Sequence, residues 1–186
     1  MVSRRKFLKK VLWAAPVIAI PDAVFVHQVK NLPNVLILGD LISLGYFPFV
    51  KELLKIKANV FCARGGNGNP ENCEGTTKGV KNIERWLGDT PWDVIHFNFG
   101  LHDLKHVDLQ TGERSKDPNI PRQANLKQYR KNLKVIVKKL KATGAKLIFA
   151  TTTPYPDNVD NPIRDPVMLE KYNRDAVRIM KKNELQ

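Results

Sequence analysis

Histidine and cysteine are scarce in this chain, with four and two among 186 residues. The cysteines, Cys62 and Cys73, flank a loop rich in Gly and Asn, and no histidine lies near enough in sequence to complete a tetrahedral zinc site with them. The two thiols are left with two states: a disulfide closing the loop in an oxidising compartment, or free buried side chains. No Gly-rich turn follows the first apolar strand, so the phosphate cradle of a nucleotide binder is missing and no cofactor is expected. Internal repeats are absent, as is any linker that would split the chain. What is present, 42% hydrophobic and 26% charged residues, is ordinary for a globular protein and sufficient for one domain with a core.

The N-terminus stands apart from that domain. Ser3-Arg4-Arg5-Lys6-Phe7-Leu8-Lys9 has the paired arginine, spacer and Phe-Leu-Lys of the twin-arginine export pattern. The apolar run after it, residues 11–20, is broken by Pro16 and is too short to cross a bilayer as a helix, which takes about 20 apolar residues. A charged region followed by a short apolar one is the layout of a signal peptide. Residues 1–23 are therefore expected to be a twin-arginine signal peptide, cleaved after Ala19 or after Ala23, with residues 24–186 forming the domain. The expected location is periplasmic or extracellular, and the export machinery is an expected partner. Membrane contact is expected only through an uncleaved signal acting as a basic anchor.

Formal net charge is +13. Removing residues 1–23 takes away Arg4, Arg5, Lys6, Lys9, Lys10 and Asp22, and the remainder is still basic. Much of that charge sits between Lys127 and Lys146, where Lys127, Arg130, Lys131, Lys134, Lys138, Lys139, Lys141 and Lys146 occur with no acid among them. Leu126, Tyr129, Leu133, Ile136, Val137 and Leu140 recur there at helical spacing, so the cations form the solvated face of an amphipathic helix. No aromatic-interleaved platform accompanies them, and nucleic acid is not an expected partner. Such a face attracts anionic polymers or membrane surfaces.

Strands and helices alternate along the chain. Asn34–Leu38 is a continuous apolar run of the kind buried on both faces of a parallel sheet. A helix is predicted within residues 48–57, a second strand over residues 58–62, and a Gly/Asn-rich loop over residues 63–75. Thr76 or Thr77 is predicted to cap a helix to Leu87 with Val80, Ile83 and Leu87 on one face. Residues 94–99 form the third strand. Residues 106–124 form a long polar loop of lid-like length. The basic helix stops at Thr143-Gly144, and residues 146–151 form the fourth strand. Residues 155–166 form a polar loop, and a last helix starts near Met168 with Leu169, Tyr172, Ala176, Val177 and Met180 inward. This order implies an α/β fold, a three-layer, doubly wound and mainly parallel sheet, with ligands bound outside the carboxyl ends of the strands.

Motifs occupy those strand ends. Gly39-Asp40-Leu41-Ile42-Ser43-Leu44-Gly45-Tyr46 follows the first strand, and Gly100-Leu101-His102-Asp103 follows the third. Glu71-Asn72-Cys73 with Gly75-Thr76 ends the second-strand loop, and Thr151-Thr152-Thr153-Pro154 follows the fourth strand. In order and placement these blocks resemble the SGNH (GDSL-like) esterase superfamily, in a subgroup carrying Gly-Leu-His-Asp-Leu-Lys in its third block. The resemblance runs from about Asn34 to Met180 and implies a flavodoxin-like SGNH fold. It also implies an acyl-ester or acylated-carbohydrate substrate, attacked by a Ser directly after Gly-Asp. A His from a late Asp-x-x-His block would activate that Ser, with the oxyanion held by backbone N–H groups and a side-chain donor. On these positions the resemblance puts Gly39, Asp40 and Asp103 in the motif framework, and Gly75 and His102 in the oxyanion pocket.

Two departures bear on chemistry. Leu41 stands at the nucleophile position with no nucleophilic atom, so no catalytic residue is intact there, and it is expected to fill the space where a substrate carbonyl docks. Ser43 is two residues on, about 200° away around a helix. The Asp-x-x-His block and the last strand of the family fold are not found before Gln186, which would leave the fourth strand at an edge. His27, His96, His102 and His106 do not fit the block. Two functions follow as expectations: an esterase-type domain that is inactive as given, or a non-catalytic extracytoplasmic module binding a glycan or envelope component. Replacing Arg4 and Arg5 by Lys is expected to hold the protein in the cytoplasm on cell fractionation. Unchanged periplasmic yield would rule the export route out.

Overall fold

The computed structural model describes residues 32–108, 110–154 and 164–185. The expected signal peptide, His27 and most of the loop after Pro154 lie outside the described residues. Among those described, four strands make one parallel sheet: β1 (Asn34–Leu38), β2 (Asn59–Cys62), β3 (Val94–Phe97) and β4 (Lys146–Phe149), in the order β2-β1-β3-β4. The most apolar run thus sits inside the sheet, paired from Val35↔Val60 on one side and Val35↔Val94 on the other. Among the described residues β4 pairs with β3 alone. The chain winds one way from β1 to β2, then crosses back to β3, so the point where winding reverses lies at the carboxyl ends of β1 and β3. Crevices form there in doubly wound sheets.

Alternation sorts each strand between two faces. Leu36, Leu38, Ile95, Phe97 and Leu147 face a large core under α2 (Thr76–Leu87), α3 (Leu126–Lys141) and α4 (Pro166–Lys182). Ile37 and Val60 face α1 (Leu41–Leu54), whose Tyr46, Phe47, Val50 and Leu54 cover them. The doubly wound α/β architecture is therefore as expected, with helices on both faces.

The helix boundaries differ from expectation in instructive ways. α1 starts at Leu41, not near Pro48, because the Asp40 carboxylate accepts from the Ile42 N–H at 2.9 Å and caps the helix one residue after β1's turn. Pro48 lies inside α1, where its missing N–H costs one bond to the preceding turn. In α2 the buried stripe is Thr76, Gly79, Ile83, Trp86 and Leu87, while Val80 stands 36% exposed. The approach is close at Gly79, where a Cβ would lie 2.7 Å from Ile136 Cδ1 and 3.0 Å from the Phe99 ring. In α4, Asp165 caps the first turn ahead of Pro166, and Ile179 takes a buried place in the stripe while Val177 is only half-buried.

The loop of lid-like length is held down along its course. Val107 N–H donates to Pro121 O at 3.0 Å and Gln123 N–H to Lys105 O at 2.7 Å. Isolated bridges join His106 to Arg122 and Val107 to Arg114, and His106 is buried. Cys62 and Cys73 are free and buried, which selects the second of the two thiol states. Burial raises both thiols, Cys73 to about 12, so neither is a ready nucleophile. Among the described residues, α1 covers its side of the sheet over β1 and β2. Ile148 on β4 and Ile42, Phe49, Leu53 and Ile56 along α1 and just beyond it are exposed. Leaving Phe49 and Leu53 in water forgoes roughly 3–6 kcal/mol relative to burying them. None of the described helices is long and apolar enough to cross a membrane.

Candidate functional site

The site is assembled where β1 and β3 end. Gly39 follows β1 and touches the first turn of α1: a Cβ would meet Ser43 Oγ at 2.7 Å. Asp40 is buried and caps α1 through one carboxylate oxygen, while its Oδ2 lies 3.9 Å from His102 Nε2. Ser43 is also buried, its hydroxyl donating to the Asp40 carbonyl at 2.7 Å, so this serine closes the helix turn. Leu41, between them, occupies the first helical position with its side chain 64% exposed. An exposed side chain at this strand end leaves the expectation for Leu41 as it stood.

Cys73 N–H donates to the Gly39 carbonyl at 2.9 Å, which draws the second-strand loop onto the end of β1. Gly75 then serves as N-cap of α2 without a side chain. The cap comes from elsewhere in the sequence. Both carboxylate oxygens of Asp103 accept from the Thr76 N–H, at 2.9 and 3.0 Å, and Oδ1 accepts from the Thr76 hydroxyl at 2.5 Å. Gly75 lies so close to this carboxylate that a Cβ would sit 3.1 Å from Asp103 Cγ. Asp103 is fully buried, and burial pushes its carboxyl up to about 7 against the pull of those hydrogen bonds. Gly39, Asp40, Gly75, His102 and Asp103 are thus gathered at one end of the sheet.

His102 is governed by a neighbour whose role the motif did not disclose. Lys105, one turn on and itself buried, places Nζ 2.6 Å from His102 Nδ1. An ammonium can only donate, so Nδ1 accepts and the ring proton is on Nε2, the nitrogen facing Asp40. Burial first, then the positive field of Lys105, Arg164 and Arg114, push the imidazole down to about 3. Burial and the same arginines bring Lys105 down to about 8. His102 is therefore a neutral N–H donor at ordinary pH and a poor base.

Beside Asp40 a cavity of about 70 Å³ is lined by Ile42, Ser43, Tyr46, Asn98, Leu101 and residues 150–153. Asn98 Nδ2 donates to the Ala150 carbonyl at 2.7 Å, joining the ends of β3 and β4. Thr152 exchanges two hydrogen bonds with Asn173, which fixes the turn after β4 to α4. Arg164 Nε donates to the Leu101 carbonyl at 3.0 Å. His96 lies apart, packed edge-on to Tyr46, and His106 Nδ1 faces the Ile120 carbonyl at 2.5 Å. Among the described residues no group of three or more His, Cys, Asp or Glu side chains could hold a metal ion.

The pH response of His102 follows from this burial. In the unfolded chain the imidazole takes up a proton near pH 6.5; folded, it does so only near 3. The unfolded state binds more protons across that window, so His102 makes the fold lose stability as pH falls from about 6.5 to about 3. Imidazole ¹⁵N spectra are expected to show His102 as the neutral Nε2–H tautomer, unchanged from pH 7 to 5. A titration centred near 6.5 would contradict the assignment.

No protein-family model matches the sequence, and neither does any curated protein. Solved structures do resemble it. An acetyl xylan esterase superposes with a TM-score of 0.62 at 15% identity, over 82% of this chain and 75% of that one. A GDSL-like lipase from Bacteroides thetaiotaomicron gives 0.63 at 16% identity, over 84% and 68%. The psychrotrophic esterase EstA from a Pseudoalteromonas species gives 0.56 at 14%, over 82% and 74%. At such identities the likeness is one of fold, and the fold of this chain is that of the SGNH/GDSL-like hydrolases.

Proposed function

We propose that this chain is an SGNH-hydrolase-like protein that recognises an acyl ester, with acylated carbohydrate as the substrate class, and does not turn it over as it stands. The observation that carries this reading is Leu41 at the first position of α1, exposed at the strand-end site with no nucleophilic atom. Ser43 cannot substitute, because its hydroxyl is buried and engaged with the Asp40 carbonyl. His102 cannot act as general base, because its Nδ1 is taken by Lys105 and the ring is held neutral far below its ordinary range. What remains is a donor frame: the His102 Nε2–H and the backbone N–H groups of Leu41 and Gly75, at the starts of α1 and α2. Such a frame stabilises a developing oxyanion only if something attacks the carbonyl. Export by the twin-arginine route would put this recognition in the periplasm or outside the cell. A glycan- or envelope-binding role is the second reading, favoured by the same exposed Leu41.

The purified protein is expected to release no product from 4-nitrophenyl acetate or acetylated xylan above a heat-denatured control. Leu41→Ser is expected to restore at most a trace, because loss of a triad member ordinarily costs several orders of magnitude. Turnover that disappears in His102→Ala would overturn the proposal. Calorimetric binding of an acetylated xylo-oligosaccharide without turnover would favour the binding role.

A further inference from the structure

The basic helix predicted from the sequence does more than present a solvated face. α3 carries seven cations and no acid, and α4 carries five cations and two acids. The two helices pack side by side, and between them runs an open groove of about 560 Å³ whose lining includes Arg130 and Lys134 from α3 and Asp175, Arg178, Ile179 and Lys182 from α4. It shares no lining residue with the strand-end cavity.

We propose that this groove binds a linear phosphate-bearing polymer. Asp175 does not neutralise it. Its carboxylate holds Arg130 Nε at 2.5 Å and Arg178 Nη1 at 3.5 Å, which fixes a guanidinium on each wall. Lys134 and Lys182 are exposed, and among the described residues neither has a carboxylate within ion-pair distance. The cations recur every fourth residue, Arg130 to Lys134 to Lys138 on one helix and Arg178 to Lys182 on the other. That spacing is about 6 Å along a helix axis. It is the order of the separation between successive phosphodiesters in an extended chain, and guanidinium groups match phosphate oxygens bidentately. Two other anionic partners fit less well. No aromatic side chain lines the groove, so nucleobases would have nothing to stack on. The surface is concave and its apolar lining residue, Ile179, is buried, so a flat bilayer would touch only the rims and gain no apolar anchor.

The test is fluorescence anisotropy with labelled poly(glycerol phosphate), at low and at physiological salt. The native protein is expected to bind, with affinity falling steeply as salt rises. Lys134→Glu with Lys182→Glu is expected to lose at least about 10-fold. Lys57→Glu with Lys81→Glu, which changes the net charge equally on other surfaces, is expected to lose less than about 3-fold. Circular dichroism on each variant verifies folding, and single charge-neutral Lys134→Gln and Lys182→Gln variants give the same comparison should a double variant fail to fold. Absence of binding at low salt, or equal loss in the two charge-matched pairs, overturns the proposal. Tighter binding to oligothymidylate, or to anionic phospholipid vesicles, overturns it in favour of a nucleic-acid or membrane surface.

Discussion

A carboxylate shut away from water at the head of a helix organises this molecule. Asp103 follows β3 in sequence, yet both of its oxygens are spent on Thr76, at the start of α2. Four helix-start N–H groups lack partners within any helix, and α2 has no side-chain cap of its own. Asp103 supplies it, and the positive end of the helix returns part of what the carboxylate lost on leaving water. The same threonine hydroxyl accepts from Asn132 Nδ2 on α3 at 3.2 Å. One buried carboxyl group therefore ties the turn after β3 to two helices, with Tyr129 adding a bond from α3 to the Phe99 carbonyl at 3.0 Å. His102, the neighbour of Asp103, and Gly75, the neighbour of Thr76, are positioned by this knot.

The knot explains how a strand-end site keeps its frame whatever side chain stands at position 41. The positions of His102 and Gly75 depend on Lys105, Asp103 and Thr76, whereas under the proposed function attack on a carbonyl would depend on one side chain, at position 41. A leucine at position 41 loosens nothing in this frame, because it is exposed and its side chain takes no part in the helix cap or the Asp103 contact. Lys105 and two arginines keep the ring neutral and donating, which suits holding an oxygen and does not suit accepting a proton.

Much of this was legible in the sequence. Continuous apolar runs located all four strands, and their order with intervening amphipathic stretches implied the winding. The motif blocks located Gly39, Asp40, Gly75, His102 and Asp103 at the strand ends that meet. Three things were not legible. The start of α1 was hidden because Pro48 reads as a beginning, whereas the Asp40 cap acts earlier in the chain. The inward faces of α2 and α4 were set by close packing, at Gly79 and around Ile179, which periodicity alone places only to within a residue or two. The purpose of Lys105 was hidden because its partner nitrogen is chosen by the fold; spacing of three residues from His102 permitted the contact without implying it.

The measurement that bears most directly on this account is a double-mutant cycle between Asp103 and Thr76, using Asp103→Asn, Thr76→Val and the pair, followed by urea unfolding. At a pH above the Asp103 value of about 7, hydrogen bonds to a buried charged group predict a coupling of about 1.5–3 kcal/mol, with each single change destabilising the fold. Effects that add to within about 0.5 kcal/mol would contradict it, and would mean that the site's frame is held by something other than the buried carboxylate.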